Sequence, residues 1–168
     1  MNKNQIIIRR IIKNAIVLAL YVALTFISYP IAFSGVQFRL SEILVLLCFF
    51  NRDYVIAITL GCFLSNLASP MMPWDLLIGT SATLLSCLIV SFVPRLAIAS
   101  IFPIIANAFL IGIEYQIVLK EPYWLGVGLV AIGEATMMIV SYIICMSILK
   151  RKRIQEIIGA RQNLDFKW

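Results

Sequence analysis

The sequence VQFRLSE at residues 36–42 places an arginine and a glutamate at the mouth of an apolar run. Arg39 and Glu42 are three residues apart, so on a helical first turn they share one face and can pair. In hydrocarbon, an ionisable side chain costs about 2.5–3.5 kcal/mol on insertion scales, and such residues mark functional sites by default. Two interpretations stay open here: a mutual salt bridge at the membrane surface, or the rim of a binding site.

The composition around this stretch is that of a membrane protein. The 168-residue chain is 62% hydrophobic and 13% charged, with a mean hydropathy of +0.98. A soluble domain is about 45–50% apolar and about 25% charged, so we expect an all-α integral membrane protein. At about 20 residues per span, the length allows five or six helices. We expect one transmembrane domain over residues 1–168, with a basic lead-in at 1–13, a six-helix bundle at 14–149 and a basic tail at 150–168.

Two of the six apolar segments are too short to cross a bilayer as straight helices. A segment of 11 residues reaches roughly 17 Å, against a hydrocarbon core about 30 Å thick. Short segments point to a binding site, because non-helical backbone is tolerated at membrane depth only where it lines a cavity or is buried in protein. The predicted segments cover residues 14–29, 40–50, 54–67, 75–93, 97–119 and 123–149.

The basic residues predict the orientation of the bundle. Six spans would place both termini on one side, and that side would hold twelve of the fourteen lysines and arginines, leaving Arg39 and Lys120 opposite. By the positive-inside rule both termini are then cytoplasmic. The net charge of +6 therefore reflects topology, and we expect no nucleic-acid partner.

The sequence offers little for enzymatic or metal chemistry. It contains no histidine, and its four cysteines lie singly in apolar runs, so we expect no metal site and no cofactor. No GxSxG, HExxH or GxxxxGK[ST] motif is present, and we expect no catalytic residue. Active transport would need ATP chemistry from a partner or an ion gradient.

Isolated polar residues concentrate in the outer half of the predicted bundle. Glu114 lies roughly 9 Å below the outer end of the fifth helix, and Asn107, two turns away, shares its face. Glu134 falls near the midplane, roughly 15 Å into the sixth helix. Each glutamate alone could be protonated and inert, but together the set predicts a cavity open to the outside. The candidate substrate-binding residues are Phe38, Arg39, Glu42, Asn66, Asp75, Asn107, Glu114 and Glu134.

Such a cavity suits a small, flat molecule rich in hydrogen-bond donors. One carboxylate can accept two parallel N–H bonds from a guanine-type edge, and a second can pair with a cationic amine. Aromatic rings would supply stacking, and an anionic ligand would need more basic residues than Arg39. The aromatic candidates are Phe38, Trp74, Tyr115 and Trp124.

A stripe of small residues runs along the first predicted span. Ala15, Ala19 and Ala23 recur every four residues, a spacing that lets two helices approach closely. The pattern fits a partner helix and internal packing equally well.

The sequence resembles the QueT family over nearly its whole length, from residue 15 to residue 149. The resemblance rests on VQFRLSEI at 36–43, FFN at 49–51 and TLGCFLSNLASP at 59–70. It continues through Asp75, Gly79-Thr80, residues 82–85, Asn107-Ala108, Gly112 with Glu114, and Gly133-Glu134.

QueT proteins are substrate-binding S components of energy-coupling factor (ECF) transporters. The resemblance implies a six-helix S-component-like bundle in a bacterial plasma membrane that captures a queuosine precursor from outside, a 7-deazaguanine such as prequeuosine or queuine. It also implies a transmembrane coupling subunit and two ATPase subunits as partners, with Ala15, Ala19 and Ala23 meeting the coupling subunit.

Two other classes of protein are alternatives to an S component. A self-sufficient oligomeric secondary transporter or channel for a small cationic or purine-like solute would be expected to show an inverted internal repeat, which the sequence lacks. An intramembrane enzyme would need a nucleophile paired with a base. Of these three hypotheses, co-purification with a coupling subunit and ATPases would support only the S component.

Overall fold

The computed structural model describes residues 2–34, 36–149 and 151–160, and this part of the chain is all-α. The first helix, α1, spans Lys3–Ile27, and the short helix α2 follows at Tyr29–Ala32. The basic lead-in therefore continues directly into the first long helix. That helix ends before Pro30, which instead occupies the first turn of α2, where its missing N–H has no helical partner to lose.

The second and third apolar segments are short, as predicted. The second is a broken helix, with a 3₁₀ helix at Leu40–Leu44 and α3 at Leu47–Phe50. The third is α4, Tyr54–Asn66. Both fall in the range of 10–17 residues, below the length of a straight span.

In the described part of the chain, four helical units are long and apolar enough to cross a membrane: Lys3–Ile27, Asp75–Phe92, Leu96–Leu119 and Tyr123–Ile148. The six predicted segments thus correspond to four long and two short helices. In chain order the later elements are a π turn at Asp75–Gly79 with α5 (Thr80–Phe92), α6 (Leu96–Ala99), α7 (Ile101–Glu114) with a π turn at Tyr115–Leu119, α8 (Tyr123–Ile144) with a π turn at Cys145–Leu149, and α9 (Lys152–Ile158).

The helices pack in a closed order. α1 packs against α4, α4 against α5, α5 against α7, and α7 against α8. The 3₁₀ helix lies between α8 and α1 and completes the ring. At the α1–α4 contact Gly61 permits close approach, since a Cβ there would stand 2.9 Å from the Cβ of Tyr21. The broken second segment is therefore enclosed by the longer helices.

One part of the interior is an apolar core. Leu46, Phe49, Phe50, Ile58 and Leu96 are buried in it. The four cysteines are free and buried.

The start of α1 and the end of α9 meet at one end of the molecule. Arg10 forms an ion pair with Asp53 in the turn before α4. The Tyr54 hydroxyl donates to the Ile158 carbonyl at 2.6 Å, and Lys13 donates to the Glu156 carbonyl at 3.5 Å. A cavity of about 430 Å³ opens there beside these basic side chains.

Candidate ligand-binding site

Arg39 is the buried cation around which the polar side chains gather. It lies just before the 3₁₀ helix and is 4% exposed. Its Nη2 is 3.8 Å from Asp75 Oδ1, and its guanidinium carbon lies 5.0 Å from the centre of the Phe33 ring. Among the described residues its ion pair is with Asp75 and not with Glu42, the local partner in one of the two interpretations of the sequence. Glu42 attracts Arg39 electrostatically without being bonded to it.

Glu42 is bonded to α1. The Tyr21 hydroxyl donates to Glu42 Oε1 at 2.5 Å, and both residues are buried. One turn further, Thr25 Oγ1 donates to Ser41 Oγ at 2.7 Å. Tyr21 and Thr25 are not among the predicted site residues, because a tyrosine or threonine on an apolar helix is indistinguishable in sequence from an ordinary core residue. The first helix therefore contributes to the site.

Asp75 begins the π turn before α5 and is fully buried. Ser69 Oγ donates to its Oδ2. Asn66 Nδ2 donates to its backbone carbonyl at 2.8 Å. The predicted residues Asn66 and Asp75 thus meet across the loop that joins α4 to α5.

The two deepest glutamates come from neighbouring helices. Asn107 Nδ2 on α7 donates to Glu134 Oε1 on α8 at 2.7 Å. Glu114, at the end of α7, is fully buried. Arg39 attracts Glu114 and Glu134 electrostatically. The site residues predicted on three distant stretches of sequence are therefore brought around one guanidinium.

The aromatic predictions are correct only in part. Tyr115 is buried beside Glu114, whereas Trp74 is 39% exposed and Trp124 is 71% exposed. Phe38 is half-buried and packs against the apolar core. The two tryptophans thus lie at the surface, and the ring that faces Arg39 is that of Phe33.

Several polar atoms of this cluster are buried without a hydrogen-bond partner in the described part of the chain. Two are donors, Gln37 Nε2 and Arg39 Nη2. Buried polar groups are normally satisfied, so orphaned ones call for an explanation such as a ligand. Six are acceptors: Glu42 Oε2, Asn66 Oδ1, Asp75 Oδ1, Glu114 Oε1 and Oε2, and Glu134 Oε2.

Acidic groups also outnumber cations in the cluster. Within the described ranges, four carboxyl groups are buried here against one guanidinium. Burying an uncompensated charge costs several kcal/mol, of the order of 3–5 when a partner is missing. The chemistry of the cluster therefore suits positive charge and N–H donors.

The outward face of α1 carries the alanine stripe. Ala15, Ala19 and Ala23 are exposed, while Tyr21 and Thr25 are buried. At 3.6 residues per turn, Ala19 and Ala23 lie nearly opposite Tyr21. One helix thus presents small residues outward and bonds to the polar cluster inward.

A buried ionisable cluster within apolar helices is typical of one class of protein, the membrane proteins that handle a small polar solute. The chain belongs to the QueT transporter family, whose model matches residues 11–151. Its family is one of transporters and not of enzymes.

A curated relative supports the same assignment. The chain is 36% identical over 141 residues to a protein of Lactococcus lactis subsp. cremoris named "Queuosine precursor transporter QueT". The alignment covers 74% of this chain and 82% of that protein. No solved structure matches the chain.

Proposed function

We propose that this protein is the substrate-capture subunit of an ATP-driven importer and binds a queuosine precursor in the cluster around Arg39. The observation that carries the proposal is the excess of unpaired acceptors over unpaired donors, six against two among the described buried atoms of the cluster. A matching ligand brings several N–H donors, few acceptors and a positive charge.

A 7-deazaguanine with an aminomethyl group has this chemistry. The ring N–H and the exocyclic amine form a parallel donor edge that one carboxylate can accept. Glu114 suits that edge, because both of its oxygens are unpaired. The cationic amine suits a second carboxylate such as Glu134, whose Oε2 is unpaired while Asn107 fixes its Oε1. Charge-assisted hydrogen bonds of this kind are roughly twice as strong as neutral ones.

The relative's name supports the ligand class. A queuosine precursor is what the Lactococcus lactis protein is named for transporting. The acidic groups and unpaired acceptors of the cluster are compatible with a ligand of that class. We assign the binding role to Phe38, Arg39, Glu42, Asn66, Asp75, Asn107, Glu114 and Glu134. Of these, Phe38 has the weakest support because it packs against the apolar core.

The membrane arrangement is part of the proposal. Residues 1–168 would form one domain that crosses a bacterial plasma membrane six times, with both termini in the cytoplasm. Support comes from the uneven distribution of basic residues. The contacts of Arg10 with Asp53 and of Tyr54 with Ile158 also hold the two ends of the chain together.

The driving force would come from partners. The sequence contains no phosphate-binding GxxxxGK[ST] loop, so a coupling subunit and two ATPase subunits would supply ATP chemistry. The exposed residues Ala15, Ala19 and Ala23 would receive the coupling subunit, since small side chains let helices approach closely.

Three measurements test the proposal. Mass spectrometry of the ligand retained by the protein is expected to find a 7-deazaguanine, and affinity purification from membranes is expected to recover a coupling subunit and ATPases. Uptake into liposomes should require those partners and ATP. Ion-driven uptake by this chain alone would instead establish a self-sufficient secondary transporter.

A further inference from the structure

Gln37 is a buried residue of the cluster that the predicted set of site residues leaves out. It is 5% exposed, and its backbone has a φ of 50°, in the left-handed region. Residues other than glycine, asparagine and aspartate rarely adopt that conformation. A strained residue held in place at a polar site is a reason to look for a function.

The backbone of Gln37 packs against α8. Its carbonyl oxygen lies at Gly133, where a Cβ would stand 2.9 Å away, and Gly133 directly precedes Glu134. The Gln37 side chain lies close to Tyr115, which directly follows Glu114.

The side-chain nitrogen of Gln37 is a buried donor, and Nε2 has no hydrogen-bond partner among the described residues. The other unpaired donor of the cluster, Arg39 Nη2, is attracted by Asp75 at 3.8 Å. Gln37 Nε2 is therefore the neutral unpaired donor of the described cluster.

We propose that Gln37 is a specificity-determining residue whose Nε2 donates a hydrogen bond to the ring carbonyl oxygen of the ligand. The inference rests on the proposed function and deepens it. The carboxylates recognise the donors of a flat ring, and Gln37 recognises its oxo acceptor. The site thereby distinguishes a ring with a carbonyl oxygen from the same ring without a good acceptor at that position.

A purely structural role for Gln37 makes a different prediction. If the residue only holds the 36–37 turn against Tyr115, its replacement weakens every ligand equally or destabilises the protein. If Nε2 binds the carbonyl oxygen, the loss depends on the ligand atom. The decisive quantity is the ratio of the affinities for two ligands, because a defect that weakens both ligands equally leaves that ratio unchanged.

The test compares aminomethyl-7-deazaguanine with its 6-thio analogue by calorimetry. The analogue keeps every N–H donor and replaces the carbonyl oxygen with sulfur, a weak acceptor. The wild-type protein should prefer the oxo compound by roughly tenfold, the value of one neutral hydrogen bond made in a buried site. Gln37→Met should lose about that factor for the oxo compound and bring the ratio close to one.

Gln116→Met is the matched control. Gln116 lies on the same π turn as Tyr115 but is exposed, so both affinities and their ratio should stay at the wild-type values. Gln37→Asn, which keeps the amide but withdraws it by one methylene, is a second variant should Gln37→Met unfold. A ratio that stays at the wild-type value in a folded Gln37 variant overturns the inference and leaves the proposed function intact. A wild-type protein that binds neither compound overturns both.

Discussion

Replacing Glu114 by glutamine changes one oxygen to an N–H donor at the most unsatisfied residue of the cluster. Glu114 is fully buried and both of its carboxylate oxygens lack a hydrogen-bond partner within the described chain. Each charge-assisted hydrogen bond from a ligand is worth about 1.5–3 kcal/mol. We therefore expect Glu114→Gln to weaken binding of aminomethyl-7-deazaguanine roughly ten- to a hundredfold.

The stabilisation of the protein by ligand should fall with the affinity. At a ligand concentration of about 1,000 times the dissociation constant, binding stabilises the wild-type protein by about 4.1 kcal/mol. A variant with hundredfold weaker affinity gains about 1.4 kcal/mol at that concentration. The ligand-induced rise in unfolding temperature should shrink accordingly.

Calorimetric titration and thermal unfolding with and without ligand measure both effects. Glu121→Gln is the control, because Glu121 is exposed in the turn before α8 and outside the cluster. It should bind like the wild type. If Glu114→Gln binds aminomethyl-7-deazaguanine with wild-type affinity, then Glu114 is not a ligand-binding residue and the reasoning from unpaired oxygens fails.

Three further predictions concern α1 and the topology. Ala19→Trp should leave the affinity and stability of the isolated protein unchanged but abolish ATP-dependent uptake by the assembled transporter. The control Gly128→Trp, on an open face of α8, should leave uptake unchanged. A loss of stability in Ala19→Trp would show that Ala19 packs internally. Tyr21→Phe leaves a buried carboxylate oxygen unpaired, so it should lower the free energy of unfolding by about 1–3 kcal/mol, and an unchanged unfolding curve would argue against that hydrogen bond. Cysteines introduced at Ser34 and Arg95 should label from outside and inside, respectively, over a low background because the native thiols are buried; outside labelling at position 95 would refute the six-span topology.

Hydropathy was sufficient to predict the helical segments. The predicted segment 54–67 matches α4 at Tyr54–Asn66, and the second segment was recognisable as short from its length. The first long helix ends at Ile27, two residues before the predicted end of its segment. Pro30 lies in the first turn of the next helix.

The partners within the site were harder to predict than its members. Sequence spacing offers Arg39 a local partner at Glu42, and only the packing of α5 brings Asp75 to it across the bundle. Tyr21 could not be distinguished from a core tyrosine until the 3₁₀ helix placed Glu42 beside its hydroxyl. Long-range packing decides these contacts, and local periodicity carries no information about it.

The negative charge of the site leads to the most direct test of the central claim. The purified wild-type protein is titrated with 7-deazaguanine carrying either an aminomethyl group or a carboxylate at the same position. The described cluster buries four acidic groups and one guanidinium. The cationic compound should therefore bind at least about a hundredfold more tightly, because it gains one charge-assisted hydrogen bond and avoids one repulsive contact. Equal affinity for the two compounds, or tighter binding of the carboxylate, would contradict the assignment of this cluster as the site for a cationic queuosine precursor.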